Sequence, residues 1–104
     1  MAEIVNPESL AAPRGYSNGI AYPASGKVLF VAGQIGWDRA MQFASDDLAQ
    51  QFDQALANVL DVVAAAGGRP EHVGRFTIYV TDKREYLAAA RDIGRAYRPL
   101  RFIV

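Results

Sequence analysis

The chain contains no cysteine, so a disulfide framework, a thiolate nucleophile and a cysteine-ligated metal site are all excluded. Its single histidine, His72, has no second imidazole with which to build a metal site. Neither sign of charge is in excess. Eleven Lys and Arg balance eleven Asp and Glu, which removes any overall pull toward nucleic acid or a membrane surface. No apolar run approaches the ~20 residues that cross a bilayer. Residues Met1 to Asn6 lack a basic segment followed by an apolar one, so no signal peptide is expected. Repeats, low-complexity tracts and linkers are missing as well. The resulting expectation is a cytoplasmic protein of one domain, residues 1–104.

What is present is ordinary for a globular chain: 104 residues, 51% hydrophobic and 21% charged. That length buries roughly two-thirds of the unfolded surface. The elements run strands first, then helix, strand and helix. Residues 18–23 and 27–35 are β-prone, and Ala24-Ser25-Gly26 between them supplies turn chemistry, which predicts a hairpin. Residues 36–45 are irregular, with Trp37 and Phe43 expected to fold back over the sheet.

The first helix is announced by Ser45, Asp46 and Asp47, with Asp47 and Gln50 at capping-box spacing. Leu48, Phe52, Leu56, Val59 and Val63 form its apolar stripe. Gly67-Gly68 stops it and Pro70 discourages its resumption. A strand is expected at 73–81, with Phe76, Ile78 and Val80 on one face and Arg75, Thr77 and Tyr79 on the other. A second capping box, Asp82 to Glu85, opens a helix whose stripe is Tyr86, Ala90, Ile93 and Tyr97. Pro99 should end it, and Leu100 to Val104 could add a stub of strand.

The run at 28–35 is apolar on both faces: Val28, Phe30 and Ala32 on one, Leu29, Val31 and Ile35 on the other. Two helices cover only one face of such a sheet, so the other is expected to meet further copies of the chain. Any pocket would then lie near or between subunits. Gly33 ends this run and leaves main-chain amides open to close approach. Tyr16, one short strand upstream, is placed to reach the same spot. Together they outline a small-molecule pocket.

Four pieces of the sequence, in order, resemble the Rid family (reactive intermediate deaminases, also called liver perchloric-acid-soluble or translation-inhibitor proteins). Ala12-Pro13-Arg14-Gly15-Tyr16-Ser17 is similar to A-P-x-G-P-Y-S, and Val31-Ala32-Gly33-Gln34-Ile35 to S-G-Q-I/L. Gln51 and Asn58 followed by Val63-Ala64-Ala65-Ala66-Gly67 resemble Q…N…L-x-A-A-G, and Tyr79-Val80-Thr81-Asp82 resembles V-x-D. The resemblance covers about residues 5–98. It implies a chorismate-mutase-like α+β fold, a sheet with two helices packed on one face, assembled as a homotrimer with ligand sites in the clefts between subunits. It also implies hydrolysis of enamine or imine intermediates of the 2-aminoacrylate and 2-iminobutanoate type to 2-keto acids and ammonia, with no metal or organic cofactor.

Carried over by position, Tyr16 matches the pocket tyrosine, Gly33 the glycine whose backbone contacts the ligand, and Tyr86 the aromatic of the second helix. Ala32 stands where most members have serine, and Ala90 where asparagine is usual. Arg101, in Pro99-Leu100-Arg101, is the nearest match to the arginine that binds the substrate carboxylate, arriving several residues early. The final strand, with the glutamate that helps activate water, is expected to be missing or shortened.

Plainer roles stand beside these. Tyr16 could cap the hairpin, Gly33 could permit a bend, and Arg101 could be a solvated tail residue. Asn58 is expected to hydrogen-bond a neighbouring loop, His72 to be exposed, and Trp37 to pack. Arg84, Arg91, Arg95 and Arg98 share roughly one helix face, read as solvated with a phosphate or RNA contact as the competing reading. Three functions therefore stand: an imine deaminase, a non-catalytic small-ligand-binding trimer, and an RNA-interacting protein.

Overall fold

The computed structural model describes residues 3–14, 17–23, 25–43 and 45–97. The elements are β1 (Glu3–Val5), β2 (Gly19–Ala21), α1 (Leu48–Ala65), a 3₁₀ turn (Pro70–His72) and α2 (Lys83–Tyr97). The architecture is α+β: a two-stranded antiparallel sheet and two long helices that pack on each other.

Both helices form where the local chemistry demands. The Asp47 carboxylate accepts the Gln50 N–H at 3.1 Å, relieving one orphan donor at the start of α1. The inward stripe is as expected, with Leu48, Phe52, Leu56 and Val59 half-buried and Val63 7% exposed, while Asp53, Ala57 and Asp61 face water. Gly67 takes a left-handed φ of 86° and ends the helix. Its N–H reaches the Ala64 carbonyl at 2.9 Å and the Gly68 N–H reaches that of Val63 at 2.9 Å, the two bonds of a Schellman stop. Pro70 does not merely block the helix; it opens the short 3₁₀ turn. At α2, Asp82 Oδ1 accepts the N–H groups of Arg84 at 2.9 Å and Glu85 at 3.3 Å. Tyr86 and Ala90 are half-buried and Ile93 is 1% exposed.

The strands depart from expectation. Gly19–Ala21 pairs not with 27–35 but with Glu3–Val5, in the register Glu3↔Ala21, Ile4↔Ile20 and Val5↔Gly19. The Asn18 N–H donates to Asn6 Oδ1 at 2.8 Å and closes the open end of this ladder. The hairpin fails for a local reason: Pro23 has no N–H to give to a ladder, and the chain turns at Gly26 with a φ of 94°. Residues 27–35 and 73–81 join no ladder. The alternation expected at 73–81 nevertheless survives in burial, since Phe76 and Ile78 are half-buried whereas Arg75, Thr77 and Tyr79 are exposed. Val80, at 38% exposed, does not join its inner face. Tyr22, just past β2, ties the segment down. Its hydroxyl donates to the Val73 carbonyl at 3.1 Å and its ring lies against Gly74. Trp37 and Phe43 close a small loop on each other, bridged through the backbone with ring centroids 5.9 Å apart. Pro99 and the expected stub at 100–104 lie outside the described residues.

Candidate functional site

The segment 33–37 is held against α1 at two points. Gly36 is buried and presses on the helix backbone: a Cβ there would stand 2.7 Å from the Gln51 carbonyl oxygen and 2.8 Å from its Cα. One side of this contact is a three-residue turn, in which the Trp37 N–H donates to the Ile35 carbonyl at 2.9 Å. Two helical turns further along α1, the Asn58 carboxamide donates to the carbonyls of Ile35 at 3.1 Å and Trp37 at 3.0 Å. Gln54 in turn donates to Asn58 Oδ1 at 2.9 Å, which fixes the amide's orientation. Gln51 reaches the Ser45 carbonyl at 2.9 Å. Asn58 thus bonds the neighbouring loop, as its mid-helix position suggested.

Beyond this clasp the chain is open. Ala32 and Gly33 are exposed, and nothing lies within 4 Å of where a Gly33 Cβ would stand. Gln34 bonds only locally, from Nε2 to the Ala32 carbonyl at 3.2 Å. The run leading to them is uncovered: Phe30 is 91% and Val28 80% exposed. Tyr86 sits half-buried in the first turns of α2. Among the described residues, nothing packs over the open side of Gly33. Tyr16 and Arg101, the candidate phenol and guanidinium, lie outside the described residues.

A separate open groove of about 370 Å³ lies between the helices, lined by Asp47, Ala49, Gln50, Asp53, Asp92 and Arg95. Arg95 is already engaged with Asp92 at 3.4 Å. Three carboxylates against one paired guanidinium repel an acidic ligand, so this groove is not where a keto or imino acid would sit. On the arginine face of α2, Arg84 and Arg91 are exposed and Arg95 is ion-paired, while Arg98 lies outside the described residues. His72 is exposed, and its Nδ1 accepts the Arg69 N–H at 3.0 Å, a capping role the sequence did not announce. Among the described residues no three His, Asp or Glu side chains converge as a metal site, and no helix is long and apolar enough to cross a membrane.

Two packed helices, a small antiparallel sheet and a glycine-opened run clasped to the first helix define the chorismate-mutase-like α+β class. Within it, the chain belongs to the Rid family: the family model described as Endoribonuclease L-PSP matches residues 6–101. The chain is similar to the Rid-family protein YyfB of Yersinia pestis, a crystal structure titled as of unknown function, with a TM-score of 0.68 and 28% identity over 98% of this chain and 84% of that one. It is 34% identical over 83 residues to protein DfrA of Myxococcus xanthus, covering 79% of this chain and 63% of that protein. A RutC family protein of Pyrococcus horikoshii is 32% identical over 88 residues, covering 83% and 68%. The chain therefore spans about two-thirds of the length of these two relatives.

Proposed function

We propose that the chain is a single Rid domain that assembles as a homotrimer in the cytoplasm, and that the clefts between copies hydrolyse small 2-imino acids to 2-keto acids and ammonia. The observation that carries this reading is the open main chain at Gly33 beside an apolar run with nothing over it. An exposed Phe30 and Val28 call for a covering surface, and a second copy would bring one next to the glycine. The family supplies the ligand class.

The chemistry needs little machinery. The enamine tautomerises to the imine, water adds to the C=N carbon, and collapse of the carbinolamine expels ammonia and leaves the ketone. In this reading Arg101 pairs with the substrate carboxylate, Gly33 contacts the ligand through its main chain, Ala32 and Tyr86 form the wall, and Tyr16 holds a proton near the nitrogen. Position and proton transfer are the whole of the catalysis. The test is ammonia release from freshly generated 2-aminoacrylate. Acceleration by the protein, lost in Tyr16→Phe, is the expected result; a rate equal to buffer rejects the reaction.

A second reading, a small-ligand-binding trimer without catalysis, is favoured by one feature. Ala32 stands at the exposed position where the resemblance implies serine, so a hydroxyl that could hold water is missing. Binding of 2-ketobutyrate with no release of ammonia from 2-aminoacrylate would select it.

A further inference from the structure

We propose that Asn58 is a positioning residue for the Gly33 site: its carboxamide sets where the open main chain stands relative to α1. The inference rests on the small-acid reading given above. Asn58 commits both of its Nδ2 hydrogens to carbonyls two residues apart, Ile35 and Trp37. Its oxygen takes the Gln54 amide. A side chain with its donors fully used and its orientation fixed from behind behaves as a rigid clip. What it grips is the turn around Gly36, which the contact with Gln51 prevents from moving closer. Gly33 lies two residues before Ile35 on a run that no ladder holds. The clip therefore ties the end of this run to α1 through two hydrogen bonds, and the glycine's placement follows from it.

The arrangement has a chemical signature. Two carbonyl oxygens face a donor, so a carboxylate at this position would be repelled, while a neutral carboxylic acid could still donate one hydrogen bond. Facing two carbonyls raises the pKa of a carboxyl group. Asn58→Asp should therefore work at low pH and fail at high pH.

The experiment titrates 2-ketobutyrate by calorimetry into the wild type, Asn58→Asp, Asn58→Ala and Gln54→Ala at pH 5 and pH 8, and measures amide exchange at 33–37 in the same samples. Asn58→Asp is expected to bind about as the wild type does at pH 5 and about tenfold more weakly, relative to it, at pH 8. Asn58→Ala should bind weakly at both, and Gln54→Ala, which keeps both donated bonds, should lose less. Exchange at the Trp37 N–H should rise in step with each loss. Equal pH profiles for Asn58→Asp and the wild type, or unchanged affinity in a folded Asn58→Ala, would overturn the proposal. A wild type that binds no 2-ketobutyrate overturns the small-acid reading instead. In that case the pH-dependent exchange of Asn58→Asp still decides the clip: present, it upholds the tether; absent, it removes it.

Discussion

A methyl group added at Gly36 would meet the backbone of Gln51 at under 3 Å, whereas one added at Gly33 would meet nothing within 4 Å. Helix backbone cannot step aside as a flexible side chain can. Gly36→Ala should therefore cost about 1–3 kcal/mol of stability, read from thermal or urea unfolding. Gly33→Ala should leave stability within about 0.5 kcal/mol. In the proposed site its added Cβ would stand between ligand and main chain, so 2-ketobutyrate affinity should fall about tenfold, the size of one lost hydrogen bond. The sequence pointed to Gly33 and passed over Gly36, because which glycine touches α1 depends on a helix that begins a dozen residues later. A weak signal existed: Gln51 and Asn58 lie one heptad apart at the border of the apolar stripe, where half-buried amides need partners. Tyr22 carries a further consequence. Burial raises its phenol above the usual 10.0. The folded state thus keeps the proton where the unfolded chain releases it, so stability is intact below about pH 10 and declines as pH rises from there through the raised pKa. Tyr22→Phe should flatten that alkaline decline, while costing about 0.5–1.5 kcal/mol at neutral pH through the lost bond to Val73.

Among the elements, the helices were legible and the sheet was not, and the difference is one of range. Asp47, Gly67 and Asp82 act on backbone groups within four residues, so caps and stops are written locally. The partner of Gly19–Ala21 is Glu3–Val5, across a long connection, and no short-range pattern names it. The turn residues at 24–26 argued for the nearer partner and were overruled by Pro23. The Tyr86, Ala90 and Ile93 stripe did identify the inner face of α2, and Ile93 is where that face is most fully enclosed. Ile93→Ala should cost about 2–5 kcal/mol in unfolding experiments, since truncating so enclosed a side chain leaves a cavity. Of the candidate site, the sequence located the open glycine and the loop-bonding Asn58. It did not locate the tether between them, which exists only once α1 is formed.

For the whole molecule, the relevant quantity is surface. The chain exposes 8359 Å², against about 5,700 Å² for a compact monomer of its mass. Its radius of gyration is 15.2 Å, against about 13 Å for a compact chain of this length. Val63 and Ile93 are the buried apolar side chains among the described residues, whereas Phe30 and Tyr79 are more than nine-tenths exposed. Such a balance is hard to sustain alone, because too little apolar area leaves water to offset the entropy of ordering the chain. In the proposed assembly, contact through the uncovered run would supply the missing burial and place a second surface beside Gly33. Phe30→Glu should accordingly yield smaller, less stable particles that no longer bind 2-ketobutyrate. Sedimentation equilibrium of the wild-type chain at micromolar concentration puts the matter to a single number. A folded species of three times the 11.3 kDa chain mass is expected; a stable, folded species at the mass of one chain would contradict the assembly on which the site depends.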